Sequence, residues 1–394
     1  MKRIGLFGGS FDPIHTGHVR LARFLVDALA LDRLIVVPAA VSPFKTGAPA
    51  GASDADRLEL CRLALPDEKI EVSDIEIEKG GVSYWIDTVR AFASQYPGDE
   101  LCFVVGEDQL LQFHKWRDYR EILSFATLVA VRRETDEGDG GFAAYFAAHP
   151  EIAARSKALA FEPFPVSSTE VRAAVGAFAD VSALVPPAVE TAIYRRGLYL
   201  DDEIVRMIAD VKSRLSEFRF FHSMCVADAA RRLALRYCGD PKSAYIAGVL
   251  HDATKELSRK EGLAYMDGHG VCATDMERRL KKLHHAITGA DYAKRVYDPG
   301  DEIVSAIRYH TTGKTDMTPL EKILFVADFI SDDRDYPGAD GMRRRAEGSL
   351  ELCMEEGLRF TIEDLAKEGR PIHPDTVACY NQVLLQTIRK EQEL

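Results

Sequence analysis

Two imidazoles three positions apart, His15 and His18, follow a Gly8-Gly9 pair in the run GGSFDPIHTGH at residues 8–18. Glycines let the backbone turn and approach a phosphate with no Cβ in the way. A helix that starts here offers unpaired N–H groups and the positive end of its dipole to an anion. The spacing puts both histidines on one face of it. The chemistry that fits is hydrogen bonding to a triphosphate while charge builds on a departing pyrophosphate. One histidine at a helix start is ordinarily a cap or a packing residue. The glycine pair, both histidines and the strand-to-helix position together point to phosphate chemistry, with Ser10 and Phe11 in the same loop.

A second segment, Val166-Ser167-Ser168-Thr169-Glu170-Val171-Arg172, repeats the theme far along the chain. Ser167 and Glu170 have the S-x-x-E spacing of a capping box, which starts a helix. Ser168 and Thr169 exceed what a cap requires. Arg172 on the first turn adds a fixed guanidinium suited to phosphate.

A third set lies in the other half: His222, His251-Asp252, His285, His310 and Asp328. His251, His310 and Asp328 follow apolar helical stretches at residues 246–250, 303–307 and 323–326, so they point toward a core. Imidazole and carboxylate groups are costly there unless paired or ligating. Four imidazoles and two carboxylates suit one or two divalent transition metals, with Asp252 able to bridge. His284 and His269 read as ordinary histidines, and Cys225 as a small buried hydrophobe.

The elements that must position these groups differ between the halves. Short apolar runs at residues 3–8, 34–38, 70–77, 101–105 and 127–131 alternate with helical spacing at 19–29, 57–65, 84–93 and 119–123. That alternation predicts an α/β, Rossmann-like parallel sheet over residues 1–200. Residues 134–141, acidic and glycine-rich, read as a loop. From Asp202 onward the period is 3.6 throughout, so residues 201–394 are expected to form an all-α domain. A net charge of −12 on 394 residues argues against coating nucleic acid, though not against one small anionic ligand. No apolar run is long enough for a bilayer. Seven scattered cysteines, never spaced CxxC, fit a reducing cytoplasm better than a disulfide framework. A homo-oligomer is compatible with the sequence.

The motifs GGSFDPIHTGH and VSSTEVR resemble those of bacterial nicotinate-mononucleotide adenylyltransferases, in the HxGH nucleotidyltransferase superfamily. The similarity runs to about Tyr199 and takes in Lys45, Arg57, Tyr84, Trp85, Ile86, Asp87, Thr88, Gly106, Asp108 and Trp116. It implies adenylyl transfer from ATP, with Mg²⁺, to nicotinate mononucleotide. Trp116 would stack on the pyridine ring, and backbone around Trp85–Ile86 would meet its carboxylate. Trp85 departs from the threonine frequent in the family, and Phe44 from its histidine. No protein nucleophile is needed, because the mononucleotide phosphate can attack in line. His15, His18, Ser168, Thr169 and Arg172 are then expected to hold the triphosphate. Nicotinamide mononucleotide is the alternative acceptor.

In the second half, HDATKELS, LHHAITGA, AIRYHTTG and EKILFVADFIS resemble bacterial HD phosphohydrolases that split diadenosine tetraphosphate symmetrically into two ADP. The resemblance covers about His222 to Tyr380 and selects His285 over His284. It implies a dinuclear centre, often iron, that neutralises phosphate charge and activates water. Asp252 would be catalytic. Lys255, Arg308, Thr311 and Thr312 would meet phosphates. Another HD specificity or a regulatory nucleotide-binding module is the alternative.

Overall fold

Runs of Ile, Leu, Val and Phe that are apolar at nearly every position form strands buried on both faces, the signature of a parallel sheet. In the computed structural model, which describes residues 1–41, 51–133, 141–162 and 164–392, six strands pair, β1, β2, β4 and β5 largely of this kind: β1 (Arg3–Gly9), β2 (Arg33–Pro38), β3 (Ile70–Val72), β4 (Glu100–Gly106), β5 (Ala126–Arg133) and β6 (Ser156–Phe161). Their order is β3-β2-β1-β4-β5-β6, and all neighbours are parallel. Register is set by apolar partners, Leu6 opposite both Ile35 and Phe103. Those side chains are sealed from solvent with Ile86, Val89 and Phe113.

Two elements differ from expectation. The apolar run at 70–77 is a strand only over Ile70–Val72; Ile75–Lys79 turns helical. A short apolar run does not by itself distinguish strand from helix. The sequence reading also missed β6. It is an edge strand paired only to β5, and several of its residues are exposed, so it lacks the continuous apolar run. Lys45, Phe44 and residues 134–140 of the expected loop lie outside the described residues.

The chain order reverses between β1 and β4, the switch point where open parallel sheets bind ligands beyond their strand ends. Helices α1 (Thr16–Ala28), α2 (Trp85–Gln95) and α3 (Ser168–Gly176) bring the motif residues near it. This first compact unit comprises Met1–Val175 and Asp180–Ala192.

The second unit, Gly176–Ala179 with Ile193–Leu394, is helical throughout its described residues. The expected join near Leu200 stands against a division after Ala192. Five helices matter most: α4 (Glu217–Arg236), α5 (Pro241–Leu250), α6 (Lys281–Val296), α7 (Asp301–Tyr309) and α8 (Pro319–Ile330). Asp240 caps α5, accepting from Lys242 N and Ser243 N, with Pro241 in its first turn. Gly248 lets α4 and α5 touch. A Cβ there would stand 2.4 Å from Ala227 Cα. No helix among the described residues is long and apolar enough to cross a membrane.

Candidate active site and metal centre

In the first unit, His15 is the N-cap of α1 and His18 its third residue. Their rings stack, centroids 3.7 Å apart. The backbone N–H of His15 donates to His18 Nδ1 at 3.3 Å, so the proton of neutral His18 sits on Nε2. His15 is buried, and its Nδ1 has no hydrogen-bond partner. Burial pushes its pKa down to about 4, against the weaker pull of the Glu170 carboxylate. A neutral imidazole with an unsatisfied buried nitrogen is a polar group in want of a partner.

Gly8 serves differently from the expectation that it turns the chain. It lies in β1, and a Cβ on it would meet Trp85 Cζ2 at 1.9 Å. The indole of Trp85 therefore occupies the space that a side chain at residue 8 would take. The reversal comes at Phe11, whose φ of 45° is left-handed and costs a non-glycine residue about 1 kcal/mol. Phe11 is sealed in the core, edge-on to Phe7 and His18.

The hydroxyl segment is tied to that loop. Ser167 and Glu170 form the capping box, Ser167 N donating at 2.7 Å and Glu170 N returning at 3.2 Å. Ser168 Oγ donates to Pro13 O at 2.9 Å, and Arg172 Nη1 to Asp12 O at 2.6 Å. Arg172 Nη2 also reaches Thr169 Oγ1 at 3.3 Å. Ser168 and Arg172 thereby brace the histidine loop as well as standing beside it. Arg57, buried, donates to the carbonyls of Ser10 and Ala39.

A cavity of about 780 Å³ opens beside Gly8, Gly9 and Ser10 and is also lined by Tyr84, Trp85, Asp108 and Trp116. Trp85 and Trp116 both pack on Phe103, at 4.4 and 5.9 Å. Gly106 ends β4 just before Asp108. The Ile86 side chain is core, Asp87 pairs with Lys79, and Thr88 donates to buried Glu76 at 2.6 Å. Glu76 lines the cavity and was not foreseen. Its only signal is a carboxylate inside an apolar run.

In the second unit five elements converge. His222 comes from α4, His285 from α6 and Asp328 from α8. His251 and His310 are the C-caps of α5 and α7. Each cap donates Nδ1–H to the carbonyl three residues back, His251 to Gly248 O and His310 to Ile307 O, both at 2.7 Å. This local geometry satisfies a free carbonyl at each helix end and leaves both Nε2 atoms as lone pairs. The ring centroids of His222, His251, His310 and His285 follow one another at 5.4, 5.1 and 5.0 Å.

Among the described residues, two groups have ligand atoms within 4.8 Å of one another: His222, His251 and Asp328, then His251, Asp252 and His310. His285 joins the second, its Nε2 at 3.3 Å from Asp252 Oδ1 and 3.1 Å from His310 Nε2. Lys255 Nζ donates to that same His285 nitrogen at 2.9 Å, so two imidazole lone pairs face each other. His251 Nε2 and Asp252 Oδ2 are buried without hydrogen-bond partners. Facing lone pairs and orphaned buried ligand atoms are what a divalent cation relieves. The donor set, imidazole and carboxylate, fits a transition metal.

The electrostatics agree. Burial opposes ionisation of Asp252, yet His251, His285 and Lys255 outweigh it and lower its pKa. Burial and then Lys255 hold His285 neutral, far below the ordinary imidazole range. His222 differs: burial opposes its charge, but Asp328 and Asp333 raise its pKa to about 9.

Several residues lie where the sequence did not point. Asp333 Oδ2 accepts from His222 Nδ1 at 2.8 Å, and Arg334 pairs with Asp328. The run Asp332-Asp333-Arg334 just beyond α8 was their only signal. Thr311 Oγ1 is 3.2 Å from His310 Nε2, within the cluster. Arg308 instead pairs with buried Glu277, and Thr312 Oγ1 donates to Gly313 O. His284 bonds the Arg278 carbonyl at 3.1 Å. Cys225 is buried in neither group, its thiol pushed up to about 12 by burial.

Comparison with known proteins gives the two halves separate kin. The cytidylyltransferase-like family matches residues 6–174, and the HD domain family residues 219–332. A probable nicotinate-nucleotide adenylyltransferase of Chlorobaculum parvum is 42% identical over 203 residues, 50% of this chain and 98% of that protein. Its counterpart in Neisseria gonorrhoeae is 36% identical over 205 residues, 50% of this chain and 99% of the relative. Among solved structures, a predicted HD superfamily hydrolase involved in NAD metabolism from Clostridium acetobutylicum aligns with 46% of this chain and 97% of its own, at 30% identity and a TM-score of 0.45. The N-terminal half of the chain belongs to the nicotinate-nucleotide adenylyltransferase family, and its C-terminal half carries an HD domain.

Proposed function

We propose that the first unit transfers AMP from ATP, accompanied by Mg²⁺, to nicotinate mononucleotide, releasing pyrophosphate. The observation that carries this reading is the stacked His15/His18 pair beside a cavity lined by two tryptophans. His18, protonated on Nε2, and the N-terminus of α1 donate hydrogen bonds to the triphosphate. Ser168, Thr169 and Arg172 hold the loop and the outer phosphates. Trp116 presents an aromatic face to the pyridine ring. Arg57, wedged under Ser10 and Ala39, fixes the loop's backbone. The side chains position and stabilise charge, and none serves as a nucleophile. A pyrophosphate-release assay with nicotinate and nicotinamide mononucleotides tests it. Turnover with the amide alone overturns the acceptor assignment.

We further infer that the second unit is a phosphohydrolase whose substrate is diadenosine tetraphosphate, cleaved symmetrically to two ADP. His222, His251, Asp252, His285, His310 and Asp328 would hold two ions, iron in this reading, with Asp252 shared. When bound, such ions supply charge neutralisation and water activation at phosphorus. The chain's own part is to fix tautomers: Gly248 O, Ile307 O and Asp333 aim the imidazoles. Lys255 and Thr311 stand where a phosphate oxygen would arrive. The observation that carries this reading is the orphaned pair His251 Nε2 and Asp252 Oδ2. Metal analysis of anaerobically purified protein, with product chromatography, tests it. Production of ATP and AMP in place of two ADP overturns the symmetric assignment.

A further inference from the structure

A cavity of about 400 Å³ adjoins the ligand cluster, and its lining includes Arg219, Lys255, Lys281, Lys282, His285 and Arg334. Lys255 and Arg334 are already engaged, with Asp252 and Asp328. Arg219, Lys281 and Lys282 have no carboxylate partner among the described residues, Arg219 lying only near the Phe218 ring at 5.8 Å. What sets these three apart is that they line one opening together, on a chain of net charge −12.

Their positions are tied to the ligands. Arg219 precedes His222 by three residues on α4, and Lys281 precedes His285 by four on α6. Each cation therefore lies on the same helix face as a metal-ligand histidine, one turn outward. That is a rise of about 6 Å for Lys281, within the span of its own side chain. Lys281 and Lys282 also sit in the first turn of α6, where the dipole disfavours positive charge. Three like charges converging on one opening, two of them at the wrong end of a helix, disfavour the folded state unless an anion meets them.

We propose that Arg219, Lys281 and Lys282 form a receiving surface for the phosphates of a nucleoside polyphosphate that lie beyond the bond being broken. The C-terminal site thereby selects substrates by the charge they carry outside the metal centre. This rests on the phosphohydrolase reading above and adds the residues that set chain-length preference.

The test compares the full-length wild type with R219A/K281A/K282A. All three side chains lie on the surface or half-buried, and removing lysines from the start of α6 favours that helix. Binding of inorganic tripolyphosphate is measured by calorimetry in excess magnesium, at two salt concentrations. The N-terminal anion site is the same in both proteins, so their difference reports the C-terminal one. We expect the variant to lose at least tenfold in one class of sites, with a flatter salt dependence. Bound metal and adenylyl transfer should be unchanged. The KM for diadenosine tetraphosphate should rise by a similar factor. Equal tripolyphosphate affinity and salt dependence in the two proteins overturns the proposal. If wild type leaves diadenosine tetraphosphate uncut while the binding difference is present, the substrate reading fails and the receiving surface stands.

Discussion

His18 and His15 differ in protonation. His18 carries its proton on Nε2 because Nδ1 accepts from the backbone, which makes it a donor at neutral pH. Replacing His18 with Ala should lower kcat for adenylyl transfer by roughly a hundredfold or more, since such a donor matters most as charge develops. Near-normal kcat, measured by pyrophosphate release, would remove it from the mechanism. His15 titrates near pH 4 in the fold and near 6.5 unfolded. Its native pKa is depressed, so the unfolded state binds the extra proton between these values. The stability it contributes is complete above about pH 6.5 and is lost as pH falls toward 4, by about 3 kcal/mol in the limit. Urea unfolding between pH 4 and 7 should show a slope that H15Q lacks. An unchanged slope counts against a buried neutral His15. In the other unit, Asp333→Asn should weaken metal binding on the order of ten- to a hundredfold by releasing His222 from its tautomer. Chelator competition on the full chain measures it, and unchanged affinity would make Asp333 a bystander.

At the scale of elements, both sites depend on how helices end. The C-caps of α5 and α7 turn an otherwise costly helix terminus into an aimed ligand, because an imidazole that satisfies the carbonyl three residues back must direct Nε2 outward. Close approach matters equally. Gly8→Ala drives a methyl into Trp85, so the indole must leave its place against Phe103. The expected result is a raised KM for the mononucleotide, with the KM for ATP nearly unchanged. Equal rises in both would show that Trp85 supports the whole cavity. The capping box at Ser167 and Glu170 starts α3 where Ser168 and Arg172 can reach Pro13 O and Asp12 O. Helix start and loop brace are one feature.

For the whole molecule, two compact units with separate cores and separate ligand sets imply separable activities. Asp252→Ala should abolish hydrolysis and bound metal in the full chain while adenylyl transfer proceeds at the wild-type rate. On the proposed reading, the second unit should also leave the first unit's product intact, because that dinucleotide has two bridging phosphates and the proposed symmetric cut needs four. Product chromatography on both substrates, with wild type and D252A, decides this. Efficient cleavage of the dinucleotide would mean that the second unit edits what the first makes.

The sequence alone determined the character of each half, because period and residue type are local properties. Alternating apolar runs require a covered parallel sheet, and unbroken 3.6-residue spacing requires helices. The motif His15-x-x-His18 and the capping box were legible for the same reason, since each is written within a few residues, and the histidine–aspartate set, though spread from His222 to Asp328, showed because His251, His310 and Asp328 each follow a local apolar helical stretch. What tertiary structure decided is whatever needs two distant segments to meet. Trp85 filling the space over Gly8, Asp333 gripping His222 across 111 positions, and Arg219 sharing an opening with Lys281 and Lys282 leave no trace in spacing. Arg308 and Thr312 show the converse. They stand near His310 in sequence, but Glu277 and Gly313 O take up their polar groups, since a helix end places neighbours on different faces. The edge strand β6 escaped notice because exposure on one side removes the apolar pattern that reveals a buried strand.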